Sequence, residues 1–160
     1  MFNLKDEFYL KIIFLFSFIA LISAFFIEYI LGHQPCNLCL IERIPYGLSI
    51  MIIISVFLIK KNQKFFVLLL ILTFTFSFAI SFYHFGIEQE FFQESSVCGV
   101  NSLTESITKE DLLKQLSEKT TSCKDVTFRI FGLSLTSINV VISLIFIITL
   151  LKILMKYEKN

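Results

Sequence analysis

Residues 12–39 read IIFLFSFIALISAFFIEYILGHQPCNLC: a long apolar run, a short polar break, then two cysteines separated by two residues. An α-helix needs ~20 mostly apolar residues to cross the hydrocarbon core of a bilayer. The run from Ile12 to Leu31 therefore predicts a membrane span, interrupted only late, by Glu28. It exceeds the ~7–15-residue apolar region of a secretory signal, and no A-x-A-like site follows it, so it reads as a retained anchor helix. Three further runs follow, giving expected spans at about 12–31, 41–59, 65–86 and 128–151. The second is short and recruits Leu40, Ile41 and the aliphatic stem of Arg43 at one end.

The rest of the chain agrees with that reading. Of its 160 residues 56% are hydrophobic, with twenty Phe and no Trp. Soluble domains are usually ~45–50% apolar. A net charge of +1, with no basic block, excludes a nucleic-acid binder. The expected fold is all-α: a single four-helix transmembrane bundle, up-down-up-down, with loops at 32–40 and 87–127 at one end. Lys60, Lys61 and Lys64 crowd the connection between the second and third runs, Lys152, Lys156 and Lys159 follow the fourth, and Lys5 and Lys11 precede the first. The positive-inside rule places these in the cytoplasm, with both termini. The loop from Glu88 to Thr127, with eight acidic residues against four lysines, lies outside.

Small residues recur at helical spacing, at Ser17, Ala20 and Ala24 and again at Thr73, Ser77 and Ser81. Such stripes let membrane helices approach closely. Asn139 lies deep in the fourth run, where lipid offers no hydrogen bond, and is expected to face another helix. In the long loop, Thr108-Lys-Glu-Asp111 resembles a capping box. It predicts a short amphipathic helix over 109–118, with Leu112, Leu113 and Leu116 on one face.

All four cysteines fall outside the apolar runs. Strict alternation of the spans puts Cys36 and Cys39 on the same side as Cys98 and Cys123, the oxidising side, where disulfides persist. Three readings compete. A structural staple suits Cys98 and Cys123, where closing a 25-residue gap stabilises by roughly 3–4 kcal/mol. It suits Cys36 and Cys39 poorly, because so short a loop has little entropy to lose. A zinc site wants a second close pair or a histidine at short spacing, and neither His33 nor His84 supplies one, so no metal is expected. Redox-active pairs fit the C-x-x-C best.

If residues 37–43 are helical, with Asn37 as N-cap, Cys39 sits in the first turn with Arg43 four residues on, on the same face. Both features favour a thiolate at Cys39. Without the neighbouring cysteines, Arg43 would read as a snorkelling interfacial cation. Pro45 offers another helix start. His84, at the outer end of the third run, is a candidate donor to a ligand at that level. Glu28 and Glu42, at similar depth, read as ion-pair partners for Arg43.

Cys36-Asn-Leu-Cys39-Leu-Ile-Glu-Arg43-Ile-Pro-Tyr46 resembles the C-x-L-C-x-x-x-R signature of the disulfide bond formation protein B (DsbB) family. Tyr83-His-Phe-Gly-Ile-Glu88, the loop cysteines, and Phe131-Gly-Leu-Ser134 with Asn139 are also similar to that family, over nearly the whole chain. The resemblance implies a monomeric inner-membrane oxidoreductase that reoxidises a periplasmic DsbA-like thioredoxin-fold protein and passes the electrons to ubiquinone or menaquinone. It implies that Cys98 meets the partner, with Cys123 pairing with Cys98 and then exchanging with Cys36. Cys39 then faces the quinone, with Arg43 and His84 as its contacts. DsbA-type oxidants sit near about −120 mV, so a glutathione-like pool cannot reoxidise them and a stronger acceptor is required. The absence of Trp departs from many family members; Tyr29, Tyr46 and Tyr83 fill the interfacial role. An oxidase for one client, or a scaffold with stapled loops, is the alternative.

Overall fold

A computed structural model of the chain describes residues 4–59, 62–93, 98, 123–124, 129–130 and 133–159. Four long helices dominate: α1 (Leu4–Tyr29), α2 (Asn37–Leu58), α3 (Gln63–Glu88) and α4 (Leu135–Lys159). Each is long and apolar enough to cross a membrane. The shortest, α2, has 22 residues, about 33 Å at ~1.5 Å per residue, against a hydrocarbon core of ~30 Å. Before α4 the strands β1 (Arg129–Ile130) and β2 (Leu133–Ser134) form a two-residue antiparallel ladder. The molecule is thus an all-α bundle of four membrane-crossing helices, as the apolar runs imply. The expected 109–118 helix and its capping box lie outside the described residues.

The bundle buries small polar side chains between its helices and is apolar on its outside. Ser17, Ser49, Ser77, Ser81 and Ser143 are fully buried, while Leu15, Ile44, Met51, Leu72, Phe76 and Val141 are exposed. In water this would be a fault; in lipid the exposed side chains meet a solvent of their own kind. The small-residue stripes do what their spacing suggests. Ser49 Oγ donates to Ser17 Oγ at 3.1 Å, joining α2 to α1, and Ser143 Oγ donates to Ser77 Oγ at 3.2 Å, joining α4 to α3. At the far end from the cysteines, Lys156 Nζ donates to Asp6 Oδ1 at 2.9 Å and closes α4 onto α1. A larger apolar centre, built on Leu10, Ile53, Leu70, Phe74 and Leu150, fills the middle.

Helix ends are set locally. Gly32, at φ +72°, turns the chain away from α1 into the short loop. Asn62 holds the left-handed conformation (φ 63°, ψ 35°) in the α2–α3 turn, which Asn tolerates better than most residues. Several boundaries differ from the sequence expectation: α1 begins at Leu4 and the last helix runs on to Lys159, beyond the apolar runs at 12–31 and 128–151. The fourth run begins at residue 128 in sequence, yet α4 begins at Leu135, because Ser134 Oγ accepts the Ser137 amide at 3.2 Å and caps the helix there. The N-cap of α2 is Cys36, not Asn37: its Sγ accepts the Cys39 amide, and its backbone is extended. Pro45, the other start considered, lies inside α2.

Gly86, near the end of α3, sits under the ring of Phe92, and any Cβ there would collide with it. The Gly86 carbonyl also accepts the amides of Phe91 (2.8 Å) and Phe92 (3.1 Å), folding the chain back over the helix end. Phe92 stacks on Tyr83 with centroids 5.7 Å apart. Gly86→Ala is expected to expel Phe92 and lower stability by about 1–3 kcal/mol, the usual cost of overpacking. Thermal unfolding in detergent reads this; an unchanged midpoint would contradict the packing.

Candidate functional site

The N-terminus of α2 places Cys36 at the cap and Cys39 in the first turn. The Cys39 amide donates to Cys36 Sγ at 3.3 Å. From α3, His84 Nε2 approaches the same sulfur at 3.6 Å. On its other side, His84 Nδ1 lies 2.8 Å from Glu42 Oε1. A carboxylate only accepts, so Nδ1 carries the proton toward Glu42, and Nε2 is left to exchange a proton with Cys36. His84 is 2% exposed and Cys36 5%, so no bulk water competes for these bonds.

Glu42 is held in turn. Asn139 Nδ2, from α4, donates to Glu42 Oε2 at 3.0 Å and lies 2.7 Å from Ser81 Oγ. Tyr46 Oη donates to Asn139 Oδ1. Thr136 Oγ1 donates to Glu88 Oε1 at 2.7 Å and stands 3.3 Å from His84 Nδ1. Asn139 thus faces other helices, as its position in a membrane span requires, and its partner is the carboxylate behind the histidine.

Cys98 and Cys123 are joined in a disulfide, with Cα atoms 5.4 Å apart. Both are buried, and they pack with Cys36, Leu38 and Ile87 in one apolar cluster. Cys36 and Cys39 are free thiols. The two cysteine pairs, far apart in sequence, are therefore neighbours in space.

On the other side of α2 a cavity of about 310 Å³ opens between α1, α2 and α4. Cys39, Glu42, Arg43, Tyr46 and Asn139 line it, with apolar side chains such as Ile27. Arg43 Nη1 donates to Glu28 Oε2, and its guanidinium lies over the Phe25 ring at 5.2 Å from the centroid. Of the acids considered for Arg43, Glu28 is the partner and Glu42 is not. Consecutive helical residues point ~100° apart, so Arg43 reaches α1 and Glu28 while Glu42 reaches α3 and His84, although both border the cavity. His84 does not line the cavity; its ring contacts Cys36 instead.

These neighbours redistribute the thiolate preference expected at Cys39. The Cys39 thiol donates to Cys36, and His84 adds a hydrogen bond and a positive field; together they outweigh burial and hold the Cys36 thiol down to about 5. A helix N-terminus does favour a thiolate, but the residue at the cap is Cys36, one turn before the expected position. The sulfurs of Cys36 and Cys39 and a ring nitrogen of His84 also lie within 4.8 Å of one another, a set able to hold a metal ion. Spacing along the chain could not reveal this, because His84 arrives from 48 residues away. Glu42 and Tyr46 fall within the Cys36–Tyr46 stretch without being assigned to the thiol site by it, and Thr136 joins the site without a motif that marks it. The sole sequence signal is that Cys39, Glu42 and Tyr46 recur at three- and four-residue spacing on one side of α2.

A dithiol at the head of one membrane helix, with a second disulfide packed against it, defines a class: a multi-pass membrane protein built for thiol–disulfide chemistry. Comparison with known proteins names the family. The chain matches disulfide bond formation protein DsbB over residues 6–153, and it belongs to that family. It is also 32% identical over 146 residues, 90% of its own length and 85% of the other's, to an uncharacterized protein of Rickettsia prowazekii (strain Madrid E). No solved structure matches it. It is accordingly a membrane protein of disulfide bond formation.

The depressed Cys36 pKa has a direct reading. Alkylation of Cys36 in the reduced protein, followed by peptide mapping across pH, should proceed at full rate near neutrality and fall as pH drops through about 5. His84→Gln should move the half-point upward, toward the ordinary thiol value of ~8.5. A half-point already near ~8.5 in the unaltered chain would show that Cys36 is not held as a thiolate.

Proposed function

We propose that this protein is a thiol:quinone oxidoreductase of the bacterial inner membrane that reoxidises a DsbA-like periplasmic dithiol protein. The observation that carries the reading is the packing of Cys36 against the Cys98–Cys123 disulfide, while Cys39 also lines a largely apolar cavity between three membrane-crossing helices. One pair meets a protein; the other meets a membrane-soluble acceptor.

The electrons are followed residue by residue. A thiolate of the reduced partner attacks Cys98, the Cys98–Cys123 bond breaks, and Cys123 leaves as a thiolate. The partner's second thiol closes its own disulfide and releases Cys98. Cys123 attacks an oxidised Cys36–Cys39 bond at Cys36, and Cys39 leaves as the thiolate. The Cys36–Cys123 bond is resolved by Cys98, which restores the outer disulfide and leaves Cys36 and Cys39 reduced. Two electrons and two protons must then depart to re-form the Cys36–Cys39 bond. His84 takes the Cys36 proton at Nε2, with Glu42 fixing its ring at Nδ1.

A quinone bound in the cavity would supply the terminal two-electron acceptor. The residues present fit such a ring: a guanidinium and a thiol at one end, an amide and a phenol beside them, and apolar walls for an isoprenoid chain. Arg43 would offer charge-assisted donors to a quinone oxygen, and Glu28 holds its guanidinium in place. The lysine distribution supports both termini in the cytoplasm and the four cysteines in the periplasm.

Anaerobic reduction of ubiquinone or menaquinone analogues by the purified protein, with a reduced thioredoxin-fold donor, tests this. Turnover is expected, and Cys39→Ser should abolish it. Arg43→Ala should raise KM for the quinone roughly 10–100-fold, the loss of a charge-assisted hydrogen bond of ~1.5–3 kcal/mol. Absence of turnover with every quinone and donor would reduce the cysteines to architecture.

A further inference from the structure

We propose that the reduced Cys36–Cys39 pair, together with His84, is a binding site for a thiophilic divalent cation such as zinc, and that the ion blocks disulfide formation at the same two sulfurs. The blocking half rests on the reading of this pair as a dithiol that cycles.

The geometry is close to that of a ligand set. Zn–S bonds of ~2.3 Å and Zn–N bonds of ~2.0–2.1 Å at tetrahedral angles put sulfur and nitrogen about 3.6 Å apart. Cys36 Sγ and His84 Nε2 are 3.6 Å apart. All three donor atoms fall within 4.8 Å of one another, so a small rotation at Cys39 closes the set. Cys36 and His84 are buried, and the imidazole is aimed at the Cys36 sulfur with the Cys39 sulfur nearby.

A second feature points the same way. Metal-bound histidines usually give their other ring N–H to a carboxylate, which fixes the ring and strengthens the ligand. Glu42 Oε1 already holds His84 Nδ1 at 2.8 Å, and Asn139 holds Glu42. Three protein donors leave a fourth position, which Cys39's exposure to the cavity supplies with water. Binding exchanges thiol protons for the ion and moves no electrons. The oxidised pair has no thiolates to offer, so occupancy follows redox state.

Cadmium alone is the probe, because thiolate–cadmium charge transfer absorbs in the ultraviolet. The full chain carrying Cys98→Ala and Cys123→Ala, reduced and anaerobic, leaves this pair as the only thiols. One ion per chain with the charge-transfer band is expected. Loss of the band after oxidation is expected, as is an affinity weakened about 10–100-fold by Glu42→Gln and further by His84→Ala. No band, a band of equal strength in Cys36→Ser, or binding unmoved by His84→Ala would overturn the site. Should the double variant fail to fold, the unaltered chain is titrated the same way after reduction and again as purified, and the same outcomes decide.

Zinc titrated into quinone turnover separates the two readings. Turnover without ion binding refutes the metal site and leaves the oxidoreductase standing. A redox-dependent band in a protein that never turns over supports the site while removing the oxidoreductase. Turnover that resists zinc at concentrations where the reduced pair is saturated refutes the blocking role.

Discussion

The Glu42 carboxylate is the point on which this bundle depends. It lies on α2, 9% exposed, and receives a bond from α3 through His84 and one from α4 through Asn139. A carboxylate inside a membrane bundle must be satisfied by protein, because lipid offers nothing. Satisfying it fixes three helices in rotation and depth at once. The same bonds aim His84 at Cys36 and put Asn139 beside Tyr46, at the wall of the cavity. Site geometry and helix packing are therefore one network: a change that frees Glu42 loosens the helices and the thiol site together.

Separation of tasks across α2 follows from helical rotation. Glu42 turns inward to the histidine, while Arg43, one residue on, turns to α1 and Glu28. Cys36, at the cap, belongs to the disulfide cluster; Cys39, three residues later, packs against that cluster and also lines the cavity. A single C-x-x-C turn thus borders both the disulfide cluster and the cavity, the latter through Cys39. In the proposed relay that is the whole device: protein chemistry on one side, membrane chemistry on the other, and one short turn between them.

Much of the fold is legible in the sequence because membrane helices announce themselves by length and apolarity, and because buried polar residues in such helices have few options. The small-residue stripes and Asn139 behave as those rules require. The cysteines and Arg43 can be named from spacing, since C-x-x-C followed by Arg is a local pattern. His84 can be named, but not its target: whether it faces the cavity or Cys36 depends on the rotation of α3, which Glu42 and Thr136 set. The helix cap is displaced by one residue because Cys, a weak acceptor, rarely competes with Asn for that role. Zinc-type geometry is invisible for a plainer reason, since its third donor comes from another helix.

In the proposed relay, exchange between the two cysteine pairs joins protein chemistry to membrane chemistry, and that step can be isolated. In a chain carrying Cys39→Ser and Cys98→Ser, only Cys36 and Cys123 remain. Mild oxidation of dilute protein, followed by mass-spectrometric mapping, should give a complete intramolecular Cys36–Cys123 disulfide. Two free thiols, or cross-linked dimers alone, would mean that the pairs are neighbours without being partners.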